Sequence, residues 1–391
     1  MPIAVAALSL AAAAPLRADI AVNIDFPGGS AEIRSIDQEK AVISLAPTDH
    51  PDKGWRCWWY AELTGLPVDR PFTLEVGDAP WATPDRPTYS IDGGKTWLLG
   101  PAGEREGKRM RYLMELGREE ALVAWGPPFV PSDAKKLVDR VAESSFRIDS
   151  FSLCETREGN PTPAIRSYPP TPDATTPLVW LHARQHAWES GASWVAQGFA
   201  DWLISNDPAA TRLRDTAEVV LVPIMDVDNV VRGAGGKNQR PQDHNRDWTA
   251  NPHWRGVAAA QRELKAAADD GRLAVFIDLH NPGPSDRFPY FYVPPATSLT
   301  SPARQNLGDF LMIAKQEMTG PLRFMGRAVE SGEKYDPKAW KSISKNWVAH
   351  LGTPAISVTL ETAWNTPSSD TEGYQTVGRQ LGKAIVRYLE E

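Results

Sequence analysis

The sequence has only two cysteines and no block of basic residues, and each shortage excludes a class of protein. Cys57 and Cys154 allow either one disulfide in an oxidising compartment or two free buried thiols, which excludes a scaffold held by several disulfides. The formal net charge is −7. An acidic chain without a basic cluster is not expected to bind nucleic acid.

Long hydrophobic runs are also missing. The most apolar stretch lies within residues 1–18, and its run of about a dozen apolar residues is too short to span a bilayer stably. This stretch ends in Leu16-Arg17-Ala18 and has the form of a secretory signal peptide, although no basic residues precede its apolar core. We therefore expect an exported protein, periplasmic or extracellular. The alternative is a disordered Ala-rich tail on a cytoplasmic protein.

The sequence contains no Gly-x-Ser-x-Gly elbow and no cysteine placed as a nucleophile, so nothing indicates covalent catalysis. It does contain His186-x-x-Glu189 and a distant His280. Two imidazoles and one carboxylate are the protein ligands that a catalytic zinc needs, because three ligands leave a fourth position open for water. A lone histidine is more often an ordinary core or surface residue than a metal ligand. The prediction therefore depends on the three residues together and not on any one of them.

The positions of these residues along the chain strengthen the set. His186 and Glu189 directly follow the β-type run 177–184, and His280 ends the run Leu-Ala-Val-Phe-Ile-Asp-Leu-His. Glu361 ends a third run, Pro-Ala-Ile-Ser-Val-Thr-Leu. Because sites in open parallel sheets form outside the carboxyl ends of the strands, we expect the four side chains to meet at one edge.

At these residues the sequence resembles the zinc metallocarboxypeptidases of the carboxypeptidase A type, from about residue 126 to the end. Four motifs follow the order of that family: Arg184-Gln-His186-Ala-Trp-Glu189, Asp243-His-Asn245-Arg246-Asp-Trp248, Ile277-Asp-Leu-His280 and Thr359-Leu-Glu361-Thr. The resemblance implies that His186, Glu189 and His280 bind one Zn²⁺ per chain and that Glu361 is the general base and acid.

The resemblance also implies a binding site for the substrate's terminal carboxylate. Asn245 and Arg246 would hold it, since a guanidinium forms a planar fork that matches a carboxylate. The family places an oxyanion-stabilising arginine upstream of this pair, where the chain offers Arg232, which we favour, and Arg240. The family's tyrosine that closes over the substrate would be Tyr335, which is 26 residues before Glu361 (361 minus 335) and departs from the usual spacing.

One residue indicates which side chain the substrate carries. In Lys345-Asn-Trp347, the tryptophan aligns with a family tryptophan, so the resemblance places Lys345 at the base of the side-chain pocket. A cation there would favour an acidic C-terminal residue. The alternative is a solvated surface lysine.

Residues 19–125 show short β-type segments separated by turns, including the hairpin signal Asp92-Gly-Gly. We predict a small antiparallel β-sandwich domain there, similar to the β-domain that precedes the catalytic domain in the cytosolic carboxypeptidase branch of the family. The stretch 126–131 has three prolines and marks the boundary. The predicted domains are a signal peptide (1–18), the β-sandwich (19–125) and a zinc carboxypeptidase domain (126–391).

Beyond the boundary, helical segments alternate with the strands. We predict a helix capped by Ser132 and ending near Ser144, and further helices at 191–205, 257–268, 302–318 and 373–389. This alternation predicts an α/β fold with a mostly parallel mixed sheet flanked by helices.

Three functions fit the sequence. The first is a metallocarboxypeptidase acting on peptides with a free C-terminus. The second is a zinc amidohydrolase acting on cell-wall peptides or N-acyl amino acids. The third is a non-catalytic binding protein on the same scaffold, which would not need an acid beside the metal. The sequence leaves the oligomeric state open.

Overall fold

Ten short strands lie in the N-terminal part of a computed structural model that describes residues 18–79, 82–144 and 146–391. Residues 1–17 of the predicted signal peptide lie outside this range. The strands are β1 (Ala21–Asn23), β2 (Glu32–Asp37), β3 (Val42–Ala46), β4 (Tyr60–Thr64), β5 (Phe72–Val76), β6 (Thr88–Ser90), β7 (Leu98–Leu99), β8 (Glu104–Glu106), β9 (Arg109–Met114) and β10 (Ala121–Ala124).

These strands form two five-stranded sheets, in the orders β1-β4-β10-β6-β7 and β2-β3-β5-β9-β8. All pairs are antiparallel except β3 with β5, so the predicted antiparallel arrangement has one parallel pair. Alternation in β9 shows why the sheets associate: Met110, Tyr112 and Met114 are buried while the residues between them face solvent. They join one core that takes residues from both sheets.

The remaining strands form an eight-stranded sheet in the order β11-β12-β14-β13-β15-β18-β16-β17. The four central strands run parallel. The pairs β11–β12, β12–β14 and β16–β18 are antiparallel, and the edge strand β17 is parallel to β16. The strands are β11 (Ile148–Glu155), β12 (Pro161–Ser167), β13 (Leu178–Ala183), β14 (Glu218–Val222), β15 (Leu273–His280), β16 (Tyr290–Val293), β17 (Ala328–Glu330) and β18 (Ile356–Glu361).

Helices cover both faces of this sheet. They are α1 (Pro131–Ala142), α2 (Ser190–Leu203), α3 (Pro208–Thr216), α4 (Val227–Arg232), α5 (Arg255–Asp269), α6 (Ser301–Glu317), α7 (Ser344–Ala349) and α8 (Thr371–Glu390). The described residues also include three 3-10 turns, at His244–Arg246, Ala296–Ser298 and Trp340–Ser342. One core lies between the sheet and α1, α2, α3, α6 and α8, and another lies between the sheet and α5 and α7. Double coverage explains why every residue of β13 and β18 is buried.

The predicted α/β fold with a mostly parallel mixed sheet is confirmed, and the five predicted helices are α1, α2, α5, α6 and α8. The cap of α1 was wrong. Pro131 takes the first helical position, so Ser132 lies inside the first turn, and the Asp133 carboxylate accepts the Val130 N–H at 3.0 Å. The boundary near residue 126 stays a prediction.

Cys57 and Cys154 are both free thiols. Cys57 is buried, as the second expectation held, but Cys154 is only partly buried. Within the residues that the structure describes, every helix is too short or too polar to cross a bilayer.

Candidate metal centre and active site

His186, Glu189 and His280 come together at the carboxyl edge of the central strands. His186 and Glu189 lie between β13 and α2, and His280 ends the adjacent strand β15. The Glu189 carboxylate lies between the two rings, with one oxygen 2.7 Å from His186 Nδ1 and the other 2.6 Å from His280 Nδ1. All three side chains are buried, and one donor atom from each lies within 4.8 Å of the others. This donor set and spacing fit a zinc ion.

Each imidazole contacts a second carboxylate through its other nitrogen. His186 Nε2 is 3.2 Å from Asp243 Oδ1, and His280 Nε2 is 2.9 Å from Asp278 Oδ1. Such partners orient metal-binding histidines and fix the tautomer that leaves a lone pair for the metal. In both rings Nδ1 is the nitrogen that faces the Glu189 carboxylate.

The turn that carries His186 is held by Arg184. Its backbone is left-handed, at φ 64°, and its buried guanidinium donates to the carbonyl oxygens of Ala187 and Phe129 and to Ser193 Oγ. Each donor thus ties the turn to a neighbouring segment. Arg184 is therefore a structural residue of this motif.

Charges in the centre are strongly coupled. Burial disfavours ionised Glu189, but the two neighbouring imidazoles outweigh it and lower its pKa to about 2. Burial likewise opposes the charge on His280, yet Asp278 and Glu189 raise its pKa. The Glu189 carboxylate and the His280 ring therefore shift each other's pKa in opposite directions.

Glu361 lies beside this centre because β18 pairs with β15 in parallel and sets Glu361 opposite His280. Burial raises the pKa of Glu361 to about 7. Its Oε2 is buried and has no hydrogen-bond partner among the described residues. A carboxyl group in this state can both accept and return a proton near neutral pH.

A cavity of about 160 Å³ opens over the centre. Residues from both parts of the chain line it: Trp55, His186, Trp188, Glu189, Lys237, Asn281, Pro282, Gly283, Tyr290, Tyr292, Tyr335 and Glu361. The predicted closing tyrosine, Tyr335, is therefore at the cavity, where it is 45% exposed and packs 5.1 Å from the Tyr292 ring.

The structure does not bring the two predicted oxyanion arginines to this cavity. Arg232 Nη2 makes two contacts with the Glu158 carboxylate, at 2.7 and 2.8 Å. Arg240 Nε is 3.6 Å from Asp52, and its side chain is 80% exposed. Both guanidinium groups have acidic partners outside the cavity lining, and the oxyanion-stabilising role expected of Arg232 stays a prediction.

Lys237 is a cationic side chain at the cavity that the sequence analysis did not consider. It lines the cavity with Glu361, and its Nζ is 3.5 Å from His186 Nε2 and 4.0 Å from Asp243 Oδ2. Its position between the two candidate arginines in sequence was the available signal. Arginine was preferred because the family uses arginine.

The N-terminal part of the chain positions Lys237. The Trp55 N–H donates to the Lys237 carbonyl at 2.9 Å, and the Gly236 N–H donates to the Lys53 carbonyl at 2.8 Å. Gly235 must be glycine here, since a Cβ would lie 2.0 Å from the Trp55 carbonyl oxygen. Backbone hydrogen bonds from the loop before β4 thus fix the loop before α5, which carries Lys237.

Asn245 and Arg246 lie on a short 3-10 turn behind the metal ligands. Asn245 Nδ2 is 3.3 Å from His280 Nε2, so the amide reaches the centre. Arg246 is paired with Asp336 at 2.8 Å, and its guanidinium is 5.8 Å from the Tyr335 ring centre. The pair is therefore beside the cavity, under the tyrosine.

Lys345 is not the solvated lysine of the alternative prediction. It lies at the start of α7, is 1% exposed, and has its Nζ 5.7 Å from the centre of the Tyr292 ring that lines the cavity. Burial, followed by the nearby Arg246, lowers its pKa to about 7. A buried cation thus faces the cavity wall.

The comparison with protein families finds a match to the model described as zinc carboxypeptidase, over residues 135–366. Curated relatives include cytosolic carboxypeptidase 4 of Mus musculus, 35% identical over 115 residues, and cytosolic carboxypeptidase 1 of Homo sapiens, 34% identical over 106 residues. These matches cover 27% and 25% of this chain. They span only 10% and 9% of the relatives' own length.

Solved structures with the same fold include a metallo-carboxypeptidase from Burkholderia cenocepacia, with a TM-score of 0.82 and 21% identity over 95% of this chain and 99% of that one. A metallo-carboxypeptidase from Pseudomonas aeruginosa gives a TM-score of 0.77 and 18% identity, over 95% and 99%. The carboxypeptidase-like fold and the resemblance drawn from the motifs are confirmed.

The prediction of export was wrong. The curated relatives are named cytosolic carboxypeptidases, which contradicts an exported, periplasmic or extracellular protein. An Ala-rich apolar run satisfied the composition of a signal peptide but lacked the basic residues that normally precede it.

We expect His186→Ala and His280→Ala to abolish stoichiometric zinc, because each removes one of only three protein ligands. Metal content of the purified variants, measured by mass spectrometry, checks this. His253→Ala is the control, since that ring packs against Trp254 away from the centre. Full zinc content in the His186 or His280 variant would contradict the proposed ligand set.

Proposed function

Because the chain belongs to the zinc carboxypeptidase family, we propose that it is a zinc-dependent metallocarboxypeptidase that hydrolyses the C-terminal peptide bond of peptides. The observation that carries this proposal is that His186, Glu189 and Glu361 line the same cavity. His280 completes the metal-ligand set with His186 and Glu189. A buried acid with a pKa near 7 beside a metal site supports catalysis over a binding role.

Each of the site residues has a separate role in the proposed hydrolysis. Zinc, when bound, lowers the pKa of a water molecule and polarises the scissile carbonyl. Glu361 takes a proton from the attacking water and returns it to the leaving amine, which its pKa of about 7 supports in both directions. Asn245 and Arg246 hold the terminal carboxylate of the substrate, and Tyr335 covers it.

We expect purified protein to release the C-terminal residue from N-blocked dipeptides and to lose this activity when zinc is chelated. Glu361→Gln should retain zinc but lower kcat by about 10²–10⁴-fold, because the amide cannot accept the proton. Amino-acid release and metal content are measured on the same samples. An active Glu361→Gln enzyme would overturn the proposed base, and a zinc-loaded wild type that releases nothing would favour the amidohydrolase alternative.

Lys237 takes the oxyanion-stabilising role in this proposal. Its ammonium group lines the cavity on a loop clamped from the N-terminal side, whereas Arg232 and Arg240 are paired elsewhere. A positioned cation offsets the charge that develops on the scissile carbonyl oxygen.

Lys237→Met should therefore lower kcat by about 10²–10³-fold with little change in zinc content. Lys237→Arg keeps the cation and should recover part of the loss. Steady-state kinetics on one dipeptide checks this, with Arg232→Met as the matched control. A large loss in Arg232→Met and none in Lys237→Met would restore the arginine to the role.

We further propose a preference for acidic C-terminal residues, supported by the burial of Lys345 behind Tyr292. An acidic side chain in the cavity would give this cation a partner in a water-poor site, where charge pairing is strong.

The preference should depend on pH in a definite direction. Lys345 has a pKa of about 7, so it is protonated below pH 7 and neutral above it. The ratio of kcat/KM for C-terminal Glu over C-terminal Gln should fall between about pH 6 and about pH 8.5, and titration of Glu361 cancels in this ratio. Lys345→Met should lower the ratio at least about tenfold at the acid end. Lys341→Gln, an exposed lysine nearby, serves as control, and a flat ratio would contradict the proposal.

A further inference from the structure

One loop, residues 233–243, carries Lys237 and leads directly into the turn that holds Asn245 and Arg246, here called the carboxylate-binding pair. Gln239 lies in this loop and is buried, at 3% exposed. Burying an amide costs free energy unless its oxygen and its nitrogen are both hydrogen-bonded. The partners of Gln239 therefore show what holds the loop in place.

The side-chain amide of Gln239 is hydrogen-bonded at both ends. Its Oε1 accepts from Asn229 Nδ2 at 2.7 Å. Its Nε2 donates to Asp226 Oδ2 and to His244 Nδ1, each at 2.8 Å. An amide nitrogen has two hydrogens, so these two acceptors use its whole donor capacity. All three partners are buried, and a fully bonded buried network of this kind is rigid.

Two of these partners belong to α4 and its N-terminus. Asp226 is the N-cap residue of α4, and its backbone N–H donates to the Arg184 carbonyl at 3.0 Å, which ties it to the turn after β13. Asn229 lies within α4, and its Nδ2 also donates to Asp226 Oδ2, at 2.8 Å. Gln239 thus anchors the loop to a helix and, through Asp226, to the central sheet.

The third partner connects the loop to the carboxylate-binding pair. An amide nitrogen can only donate, so His244 Nδ1 accepts from Gln239 Nε2. The His244 ring also stacks on Trp254, with ring centres 4.5 Å apart and an interplanar angle of 7°. Because His244 directly precedes Asn245, the bond from Gln239 fixes where the turn begins.

The segment beside Lys237 packs against the same network. A Cβ at Gly236 would lie 2.7 Å from Asp226 Oδ2, the oxygen that accepts from Gln239. On the other side of Lys237, the Asn238 N–H donates to a carboxylate oxygen of Asp243 at 2.8 Å. The backbone of Lys237 is therefore held on both sides.

The proposed reaction needs Lys237 and the carboxylate-binding pair at a fixed separation. In the C-terminal residue of a peptide, only the amide nitrogen and the Cα lie between the scissile carbonyl and the terminal carboxylate. A cation that stabilises the developing oxyanion must therefore be placed to match a carboxylate that is already bound. Gln239 links the two through its bonds to Asp226 and His244.

We propose that Gln239 is a positioning residue: its buried amide holds Lys237 at the separation from the carboxylate-binding pair that the transition state requires. This inference rests on the proposed function and on the role of Lys237 in it. The alternative is that Gln239 only stabilises the fold.

A double-mutant cycle on kcat separates these two roles. Gln239→Met keeps the length of the side chain without its hydrogen bonds, and it should retain zinc while lowering kcat about tenfold for an N-blocked dipeptide ending in Glu. In the Lys237→Met background the same change should lower kcat less than about twofold, because the cation to be positioned is already absent. Gln261→Met is the matched control, since it removes a bond from a buried glutamine to the Thr249 carbonyl, at 3.1 Å, outside the network.

Two substitutions of His244 test the network from its other end. The Oδ1 of asparagine can replace the ring Nδ1 as an acceptor, whereas phenylalanine keeps the stacking on Trp254 and cannot accept. We expect kcat/KM to fall about tenfold in His244→Phe and clearly less in His244→Asn. If Gln239→Met does not fold, this pair decides the matter, and a smaller loss in His244→Phe than in His244→Asn would overturn the proposal.

An equal loss of kcat from Gln239→Met in both backgrounds would overturn the proposal, since Gln239 would then act independently of Lys237. Unchanged kcat in Gln239→Met, with lower stability in urea unfolding, would show a purely structural role and would also overturn it. Full kcat in Lys237→Met would remove the role that Gln239 supports. A zinc-loaded wild type that releases no amino acid would instead overturn the proposed function, and that result appears before any substitution.

Discussion

The buried carboxylate of Glu189 sets the constraint on which the centre depends. A carboxylate removed from water is costly unless it is paired and hydrogen-bonded. Glu189 has an imidazole on each side, and each of these imidazoles has a further carboxylate behind it. Three acids with lowered pKa values thus surround two rings. A divalent cation supplies the positive charge that such a cluster lacks when the rings are neutral.

Topology brings this cluster together. Parallel pairing of β13, β15 and β18 sets their carboxyl ends at one edge, so His186, His280 and Glu361 meet although they are far apart in sequence. The N-terminal sheets add what the large sheet cannot provide, since the Trp55 and Lys53 backbones hold the loop that carries Lys237. The cavity is therefore built by both parts of the chain.

Sequence patterns were sufficient to predict the positions of the site residues at strand ends. They were insufficient to predict the positions of the site residues in loops. His280 and Glu361 end short, β-rich apolar runs that predict buried strands, so the edge they share follows from the α/β pattern. Lys237 could not be distinguished from Arg232, because its position depends on hydrogen bonds to residues about 180 positions earlier, which no local pattern records. The burial of Lys345 likewise follows from how α7 packs on the sheet.

Hydrogen bonding gives similar buried acids different roles. Asp278 Oδ2 accepts hydrogen bonds from Gln185 and Ser344, and the His182 and His280 rings lie 3.1 and 2.9 Å from its Oδ1. Glu361 is on the neighbouring strand and is also buried, yet its Oε2 has no hydrogen-bond partner among the described residues. Desolvation therefore dominates at Glu361 and raises its pKa, while coupling to the rings dominates at Asp278 and lowers it. Environments that drive two carboxyl groups apart in pKa separate the proton carrier from the structural anion.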